Sequence, residues 1–299
     1  MSKVALYTTI YSGVEQYLQD WCRSLENQGT REFDIWIGVD DIDRNVILQY
    51  IRSKWNLRFI SREVDDTPIS LRLRALKMMV TEYDALIFSD SDDIMEPTRV
   101  SASIQGIQSA DIYGCALGLI DATGHRIGAY FGLKEGEVLD DVLPRYNFLG
   151  LSNTAWRSET LKNFLSVPKT CVAMDWYLAT QAWGNGAAII FDRTVRMRYR
   201  QYANNTAKVV PPFSTAQVIN ATDIVSEHYH QVQLFGSGWL ASHRLKVEEA
   251  SSRLNKFKIA ITKSRQTCDA YVNALNQLPP HHLWWQSVAH PALEDIWNY

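Results

Sequence analysis

The apolar run Ala85-Leu86-Ile87-Phe88 passes through Ser89 straight into Asp90-Ser91-Asp92-Asp93, three carboxylates in four residues. A strand that ends in clustered acids sets them at the carboxyl edge of a sheet, where open α/β proteins hold their ligands. Like charges this close repel, and a bound cation relieves the repulsion. An oxygen-only donor set of this kind suits Mg2+ or Mn2+, which in turn grips a phosphate-bearing substrate. The same residues also read as a polar turn, since Asp and Ser favour turns and Pro97 follows. The rest of the chain bears on the choice.

The segments before the cluster alternate strand-like and helix-like patterns. Val4 to Tyr7 is a short β-type run, followed by a turn over Thr8-Thr9-Ile10-Tyr11. Next, Val14, Tyr17, Leu18, Trp21, Cys22 and Leu25 recur at the three-and-four spacing of one helix face. Phe33 to Val39 is the second strand and ends in Asp40-Asp41. Val46 to Trp55 reads as helix and Leu57 to Ile60 as extended. Ser70 to Tyr83 is a further helix, with Leu71, Ala75, Met78 and Met79 inward and Arg72, Arg74 and Lys77 elsewhere. Repeated β-α units of this length predict an α/β fold, a mostly parallel sheet with helices on both faces. Right-handed crossovers then bring the ends of the first, second and fourth strands to one edge. Thr8-Thr9, Asp40-Asp41 and Asp90–Asp93 are therefore expected to share a cleft.

The usual glycine cradles for phosphate are missing. No GxGxxG follows the first strand and no GxxxxGK[ST] occurs anywhere, so a metal and basic side chains must hold any phosphate. With 46% hydrophobic residues among 299, the chain can bury one large core or two smaller ones. A net charge of −3 gives no broad nucleic-acid-binding surface. The cysteines (Cys22, Cys115, Cys171, Cys268) form no CxxC pair, which argues against a zinc site and fits a reducing compartment. No signal peptide opens the sequence and no apolar run approaches the ~18 residues of a membrane span. A cytoplasmic protein is expected, at most peripheral at the inner face of a membrane. No serine, Ser152 included, sits in a GxSxG elbow. His228 with His230 and His281 with His282 lack helical metal-ligand spacing and read as surface or packing residues.

Taken in order, several segments resemble GT-A glycosyltransferases, and among them the inverting family 2 type of bacterial sugar transferase. The opening strand with Thr8-Thr9-Ile10-Tyr11, and the helix ending Ser24-Leu25-Glu26-Asn27-Gln28, look like that family's start. Phe33 to Asp41 resembles its second strand, and Phe88-Ser89-Asp90-Ser91-Asp92-Asp93 its DxD-type metal motif. Arg157-Ser158-Glu159-Thr160-Leu161 is similar to the segment leading to the acceptor region. Met174-Asp175-Trp176 stands where the family commonly has Glu-Asp, Met174 replacing the Glu. Tyr199-Arg200-Gln201-Tyr202-Ala203-Asn204-Asn205 resembles its closing nucleotide-side motif. The resemblance spans residues 3–210.

What the resemblance implies is a metal-dependent, inverting transferase of the hexosyl type. It would move a sugar from a nucleotide-diphosphate donor to an acceptor hydroxyl on a glycan or lipid-linked acceptor, in bacterial surface polysaccharide synthesis. Mn2+ or Mg2+ would be held by Asp92 directly, with Asp90 on the ribose or the metal's hydration shell and Asp93 facing the sugar. Asp175 would be the catalytic base; by itself a carboxylate there also reads as a helix N-cap. Arg200 and Gln201 would meet the diphosphate, although alternating Arg196, Arg198 and Arg200 equally suit a solvated strand face. Thr8, Tyr11, Asp40, Asp41, Arg72, Arg74 and Ser91 complete the expected donor site. Two alternatives stand beside this reading. A sugar-nucleotide nucleotidyltransferase should carry a glycine- and basic-rich loop after the first strand, where this chain has only Gly13. A non-catalytic nucleotide- or carbohydrate-binding relative would lack the base.

Beyond Pro211-Pro212 the character changes. Residues 214–235 look helical, and Trp239 to Leu278 keeps a helical rhythm through Leu240, Leu245, Val247, Ala250, Leu254, Phe257 and Ile261. The sequence thus divides into a catalytic domain over 1–212 and a helical extension over 213–299. The extension, with Trp284, Trp285 and Trp297, suits packing on the first domain, subunit pairing or contact with a membrane surface.

Overall fold

A computed structural model describes residues 3–51, 55–203 and 205–298. Asn204 of the closing motif, and residues 52–54 of the helix expected over Val46–Trp55, lie outside them. The chain begins β1 (Val4–Tyr11), α1 (Glu15–Glu26), β2 (Asp34–Asp40), α2 (Arg44–Tyr50), β3 (Leu57–Ser61), α3 (Pro68–Met79) and β4 (Ala85–Phe88). There follow β5 (Ile94–Met95), α4 (Arg99–Ser109), β6 (Ile112–Ile120), β7 (Arg126–Phe131), the short α5 (Leu139–Val142) and β8 (Thr154–Arg157). A short α6 (Ser158–Leu161), α7 (Met174–Gly184) and β9 (Ile189–Arg200) lead to α8 (Thr215–Leu234), α9 (Ala241–Lys263) and α10 (Arg265–Leu275).

These elements group into two compact units, and the division is not the expected single boundary after residue 212. One unit comprises Met1–Tyr130, Leu149–Lys169 and Ala187–Arg200; the other comprises Phe131–Phe148, Thr170–Gly186 and Gln201–Tyr299. Two separate segments, Phe131–Phe148 and Thr170–Gly186, and the stretch from Gln201 to residue 212 thus belong with the C-terminal helices. Aromatic packing explains it: Trp176 stacks on His228 with ring centroids 3.8 Å apart, and Trp183 on His243 at 3.9 Å. No local pattern announces such long-range partners.

The first unit is built on a nine-stranded sheet in the order β3-β2-β1-β4-β8-β6-β9-β5, with β7 beside β6. From β3 to β4 all pairs are parallel, as the β-α alternation requires. Beyond β4 the sheet becomes mixed: β8 pairs antiparallel with β4 and with β6, and β9 runs parallel to β6. β1 does not turn after Tyr7. It continues to Tyr11, which pairs with Asp40 at the end of β2. The β-branched Thr8, Thr9 and Ile10 favour the pleated backbone. Gly38 makes room beside them, since a Cβ there would stand 2.6 Å from the Tyr7 hydroxyl oxygen.

α3 starts earlier and stops sooner than its periodicity suggests. Thr67 caps it by accepting a 3.1 Å bond from the Ser70 N–H, Ser70 returns the favour at 2.7 Å, and Pro68 takes the first turn. Leu71, Ala75, Leu76 and Met79 are buried, whereas Met78, expected inward, is exposed in the last turn.

In the second unit the long C-terminal rhythm is two helices rather than one. Ser264 leaves the helical region at φ −133°, ψ 110°, and its hydroxyl caps α10 by accepting from the Thr267 N–H at 3.1 Å. α7 is buried all round except at one residue, Asp175. A helix apolar on every side belongs to a core, so a lone half-exposed carboxylate on it stands out. Among the described residues no helix is long and apolar enough to cross a membrane.

Candidate active site

The acidic cluster caps the carboxyl end of β4, and a set of buried polar groups fixes its backbone. Trp21 Nε1 donates to Ser89 Oγ at 3.1 Å, and Ser91 Oγ donates to the Thr9 carbonyl at 2.7 Å, tying the cluster to the end of β1. From below, Arg99 of α4, fully buried, donates to the Thr154 carbonyl at 2.9 Å and the Phe88 carbonyl at 3.4 Å. Arg200 closes the other side. Its N–H donates to Asp93 Oδ1 at 2.9 Å, its Nε to the Asp92 carbonyl at 2.7 Å, and its terminal nitrogens to Ala122 O at 3.1 Å and Asp20 Oδ2 at 3.0 Å. The guanidinium carbon lies 4.5 Å from the Tyr17 ring centroid.

The three acids therefore differ. Asp93 is 1% exposed, and Ser152 Oγ donates to its second oxygen. Burial, then the charges of Asp92 and Asp90, push its carboxyl well above the usual carboxylate range. Asp90 and Asp92 remain half-buried at the edge, and the hydroxyl of Tyr11, 37% exposed, stands 3.5 Å from Asp92 Oδ2. Among the described residues no group of three or more His, Cys, Asp or Glu side chains is gathered to hold a metal ion. At that edge Asp90 and Asp92 offer one or two carboxylates. A set this small fits Mg2+-like ions, which take one or two carboxylates and complete their shell with water and substrate phosphates.

Beside the ends of β2 and β3 lies a charged network. Asp40 accepts from Arg62 at 2.8 Å, and Arg62 Nε donates to the Asp66 carbonyl at 3.0 Å. Arg74 is engaged with Asp66, with Glu63 at 3.1 Å and with the Ser61 carbonyl at 2.8 Å. The Glu63 N–H and then Arg74 hold the Asp66 carboxyl down to about 2. Asp41 adopts φ 56°, a left-handed conformation that Asp tolerates better than most residues. An open cleft of ≈ 600 Å³ runs between Val39, Asp41, Ile42, Ser61 and Arg62.

In the second unit, Asp175 is the second residue of α7. The N-cap is Ala173, which contributes no side-chain cap, so Asp175 is not the N-cap that the sequence also allowed. Its Oδ1 accepts from the Trp176 N–H at 2.8 Å and its Oδ2 from Asn147 Nδ2 at 3.0 Å. It thus lies in the first turn, at the positive end of the helix dipole.

The residues singled out from sequence are thus placed unevenly. Tyr11, Asp90, Ser91, Asp92 and Asp93 come together, and Asp40 and Asp41 stand at the end of the neighbouring strand β2. Thr8 is 1% exposed inside β1, and Arg72 is half-buried on α3. Arg200, expected at a diphosphate, is 1% exposed and spent on the protein; Arg196 and Arg198 pair instead with Asp192 and Glu96. Gln201 is half-buried in the second unit. Arg62, Asp66, Asp20, Ser152 and Asn147 are not among the site residues expected from the sequence. Only Asp66, in the capping segment Asp66-Thr67-Pro68, had a signal that spacing rules could have found.

A parallel half-sheet continued by antiparallel strands, with acids at the end of β4, defines the nucleotide-diphospho-sugar transferase (GT-A) fold, here with a helical C-terminal region. The solved structures similar to this chain agree. TarS 1-349 of S. aureus in complex with UDP-GlcNAc superposes with a TM-score of 0.60 at 18% identity, covering 96% of this chain and 81% of that one. The same protein in complex with UDP gives 0.58 at 16% identity, over 85% and 71%. The mannosyltransferase PcManGT from Pyrobaculum calidifontis, in complex with GDP-Man and Mn2+, gives 0.62 at 12% identity, over 93% and 76%. No protein-family model matches the sequence, and no curated protein matches it significantly.

Proposed function

We propose that this chain is an inverting, metal-dependent glycosyltransferase of the family 2 type. The observation that carries the proposal is the division of labour in the acidic cluster, where Asp93 is buried as a support while Asp90 and Asp92 are only half-buried at the sheet edge. The fold shared with proteins solved in complex with UDP-GlcNAc and with GDP-Man supports a nucleotide-sugar donor.

In this reading the base and ribose occupy the cleft between Val39, Asp41 and Arg62. Asp92, assisted by Asp90, would hold the divalent cation, and Tyr11 steadies Asp92. When bound, the cation stabilises the negative charge that develops on the departing diphosphate. Asp175 takes the proton of the acceptor hydroxyl as that oxygen forms its bond to the anomeric carbon. The bond from that carbon to the diphosphate oxygen breaks, and its electron pair leaves with the nucleotide. Arg200 holds the Asp92 carbonyl, Arg200 and Ser152 hold the Asp93 carboxyl, and Arg99 holds the end of β4 beneath them, so that little reorganisation is needed on binding. The acceptor is a glycan or lipid-linked hydroxyl, and the C-terminal helices are a platform for it, for a second subunit or for a membrane surface.

Calorimetric titration of UDP and of GDP, each with Mn2+ and with chelator, tests the reading on wild type and Asp92→Ala. One nucleotide should bind in a metal-dependent manner and lose that binding in the variant. Absence of binding under every condition would reject a donor site here.

A further inference from the structure

Asn147 carries a signature that an ordinary core amide does not. It is fully buried, and its Nδ2 is spent on Asp175 Oδ2 at 3.0 Å. Asp175 is in turn the one residue of α7 that is not buried. A buried amide donating to a carboxylate that also reaches the surface does two things. It fixes the rotation of the carboxylate, and it favours the ionised form over the neutral one.

The backbone of Asn147 is itself held by the C-terminal tail. Asn147 and Trp284 form an antiparallel bridge, Trp284 N–H to Asn147 O at 2.9 Å and Asn147 N–H to Trp284 O at 3.3 Å. The same tail holds the other end of the segment. The Gly132 N–H donates to His282 O at 2.7 Å, and the Trp284 ring meets Phe131 edge-on with centroids 4.5 Å apart. Residues 282–284 therefore clip both ends of the stretch that carries Asn147. On the α7 side, Trp176 Nε1 donates to the Leu143 carbonyl at 2.9 Å, tying the residue after Asp175 to the same stretch.

We infer that Asn147 is a positioning residue for Asp175, and that the C-terminal tail acts on the reaction through it. The inference rests on the reading of Asp175 as the base. Asn147 touches no substrate; it keeps the acceptor-facing lone pairs of Asp175 aimed and keeps the carboxylate ionised. The tail, which lies outside every motif that suggested a transferase, then becomes part of the catalytic apparatus rather than an appendage.

Two measurements on the full chain test this. In the first, aspartate side-chain carboxyls are labelled with 13C and titrated by NMR, with the Asp175 signal assigned by its loss in Asp175→Asn. Removing the donor in Asn147→Ala should move the Asp175 titration to higher pH. Asn147→Asp keeps the side-chain shape but sets a second carboxyl against the first, and should move it further in the same direction; it also serves if the alanine variant fails to fold. An unchanged midpoint in the folded variants overturns the inference, whatever the enzyme does.

The second measurement follows nucleotide release from UDP-GlcNAc and from GDP-Man with Mn2+, water serving as acceptor. Asn147→Ala should lower kcat about tenfold with little change in KM, and shift the acid limb of the rate profile to higher pH. If Asp175→Asn abolishes release while Asn147→Ala leaves both kcat and the limb unchanged, the positioning role is wrong and the base stands. If Asp175→Asn keeps full activity, the base assignment is wrong, and the NMR result alone decides whether Asn147 controls that carboxylate.

Discussion

The N–H of Arg200 donates to Asp93 Oδ1 at 2.9 Å while its Nε donates to the Asp92 carbonyl at 2.7 Å, so one residue of β9 holds two consecutive residues of the acidic cluster. A guanidinium that is 1% exposed and bonded in several fixed directions is a strut. Arg200→Ala should cost about 3 kcal/mol, because it strands buried carbonyls and leaves Asp20 without its partner. Arg200→Lys should recover only a small part, since one ammonium cannot reach all these acceptors. Urea denaturation gives both values. A variant with wild-type stability and weakened nucleotide binding would instead mark Arg200 as a phosphate ligand.

Ser91 is the tie between the cluster and β1. Its buried hydroxyl donates to the Thr9 carbonyl at 2.7 Å, which sets the approach of Tyr11, two residues beyond Thr9, to Asp92, the residue after Ser91. Ser91→Ala should cost about 1 kcal/mol in stability, the usual figure for one net hydrogen bond. Its larger effect should be on metal-dependent nucleotide affinity, read by calorimetry. A stability loss with unchanged affinity would confine Ser91 to the fold.

How far the sequence reached can be judged from these same residues. The parallel half of the sheet and the placement of Asp90–Asp93 were legible because apolar runs and helical spacing are local signals. The continuation of β1 to Tyr11 was not read, although Thr8, Thr9 and Ile10 are strand formers, because residues before a cleft are habitually assigned to a turn. The diphosphate role expected of Arg200 came from the resemblance of its segment, and strand alternation says only which side chains share a face, not whether that face meets water or Asp20. Asn147 and Ser152 had no signal at all. Each acts through a partner distant in sequence, Asp175 and Asp93, and one-dimensional spacing carries nothing about such pairs.

Packing under the sheet supplies a sharper test of the fold. A Cβ added at Gly106 of α4 would stand 2.2 Å from Cδ2 and 2.7 Å from Cγ of Tyr113 on β6. The ring cannot swing away freely, because Tyr113 is buried and its hydroxyl donates to Asp192 at 2.9 Å. Alanine gains about 1 kcal/mol over glycine in a helix, but overpacking a fixed core costs about 1–3 kcal/mol. The clash should win, and Gly106→Ala should lower the thermal midpoint. A raised midpoint would mean that α4 can move away from β6 at little cost.

The second unit should be sensitive to acid through its buried histidines. His228 lies flat on Trp176, and neither of its ring nitrogens has a hydrogen-bond partner among the described residues. Burial pushes its pKa down to about 3. His281 is stacked on Phe213, its Nε2 is also unpartnered, and burial followed by the neighbouring His290 and His282 brings it to about 3. In the unfolded chain each binds a proton near the ordinary histidine value of about 6.5. Between that value and the folded one the unfolded state holds more protons, so stability rises with pH across this window. It is complete above the unfolded value and is lost as pH falls toward 3, at about 1 kcal/mol per pH unit for each histidine. His228→Phe keeps an aromatic face on Trp176 and removes the site, so the fall in urea midpoint between about pH 6.5 and about pH 5 should be visibly shallower in the variant. If wild type and variant fall in parallel, His228 either reaches water or charges inside the fold, and the acid sensitivity must come from elsewhere.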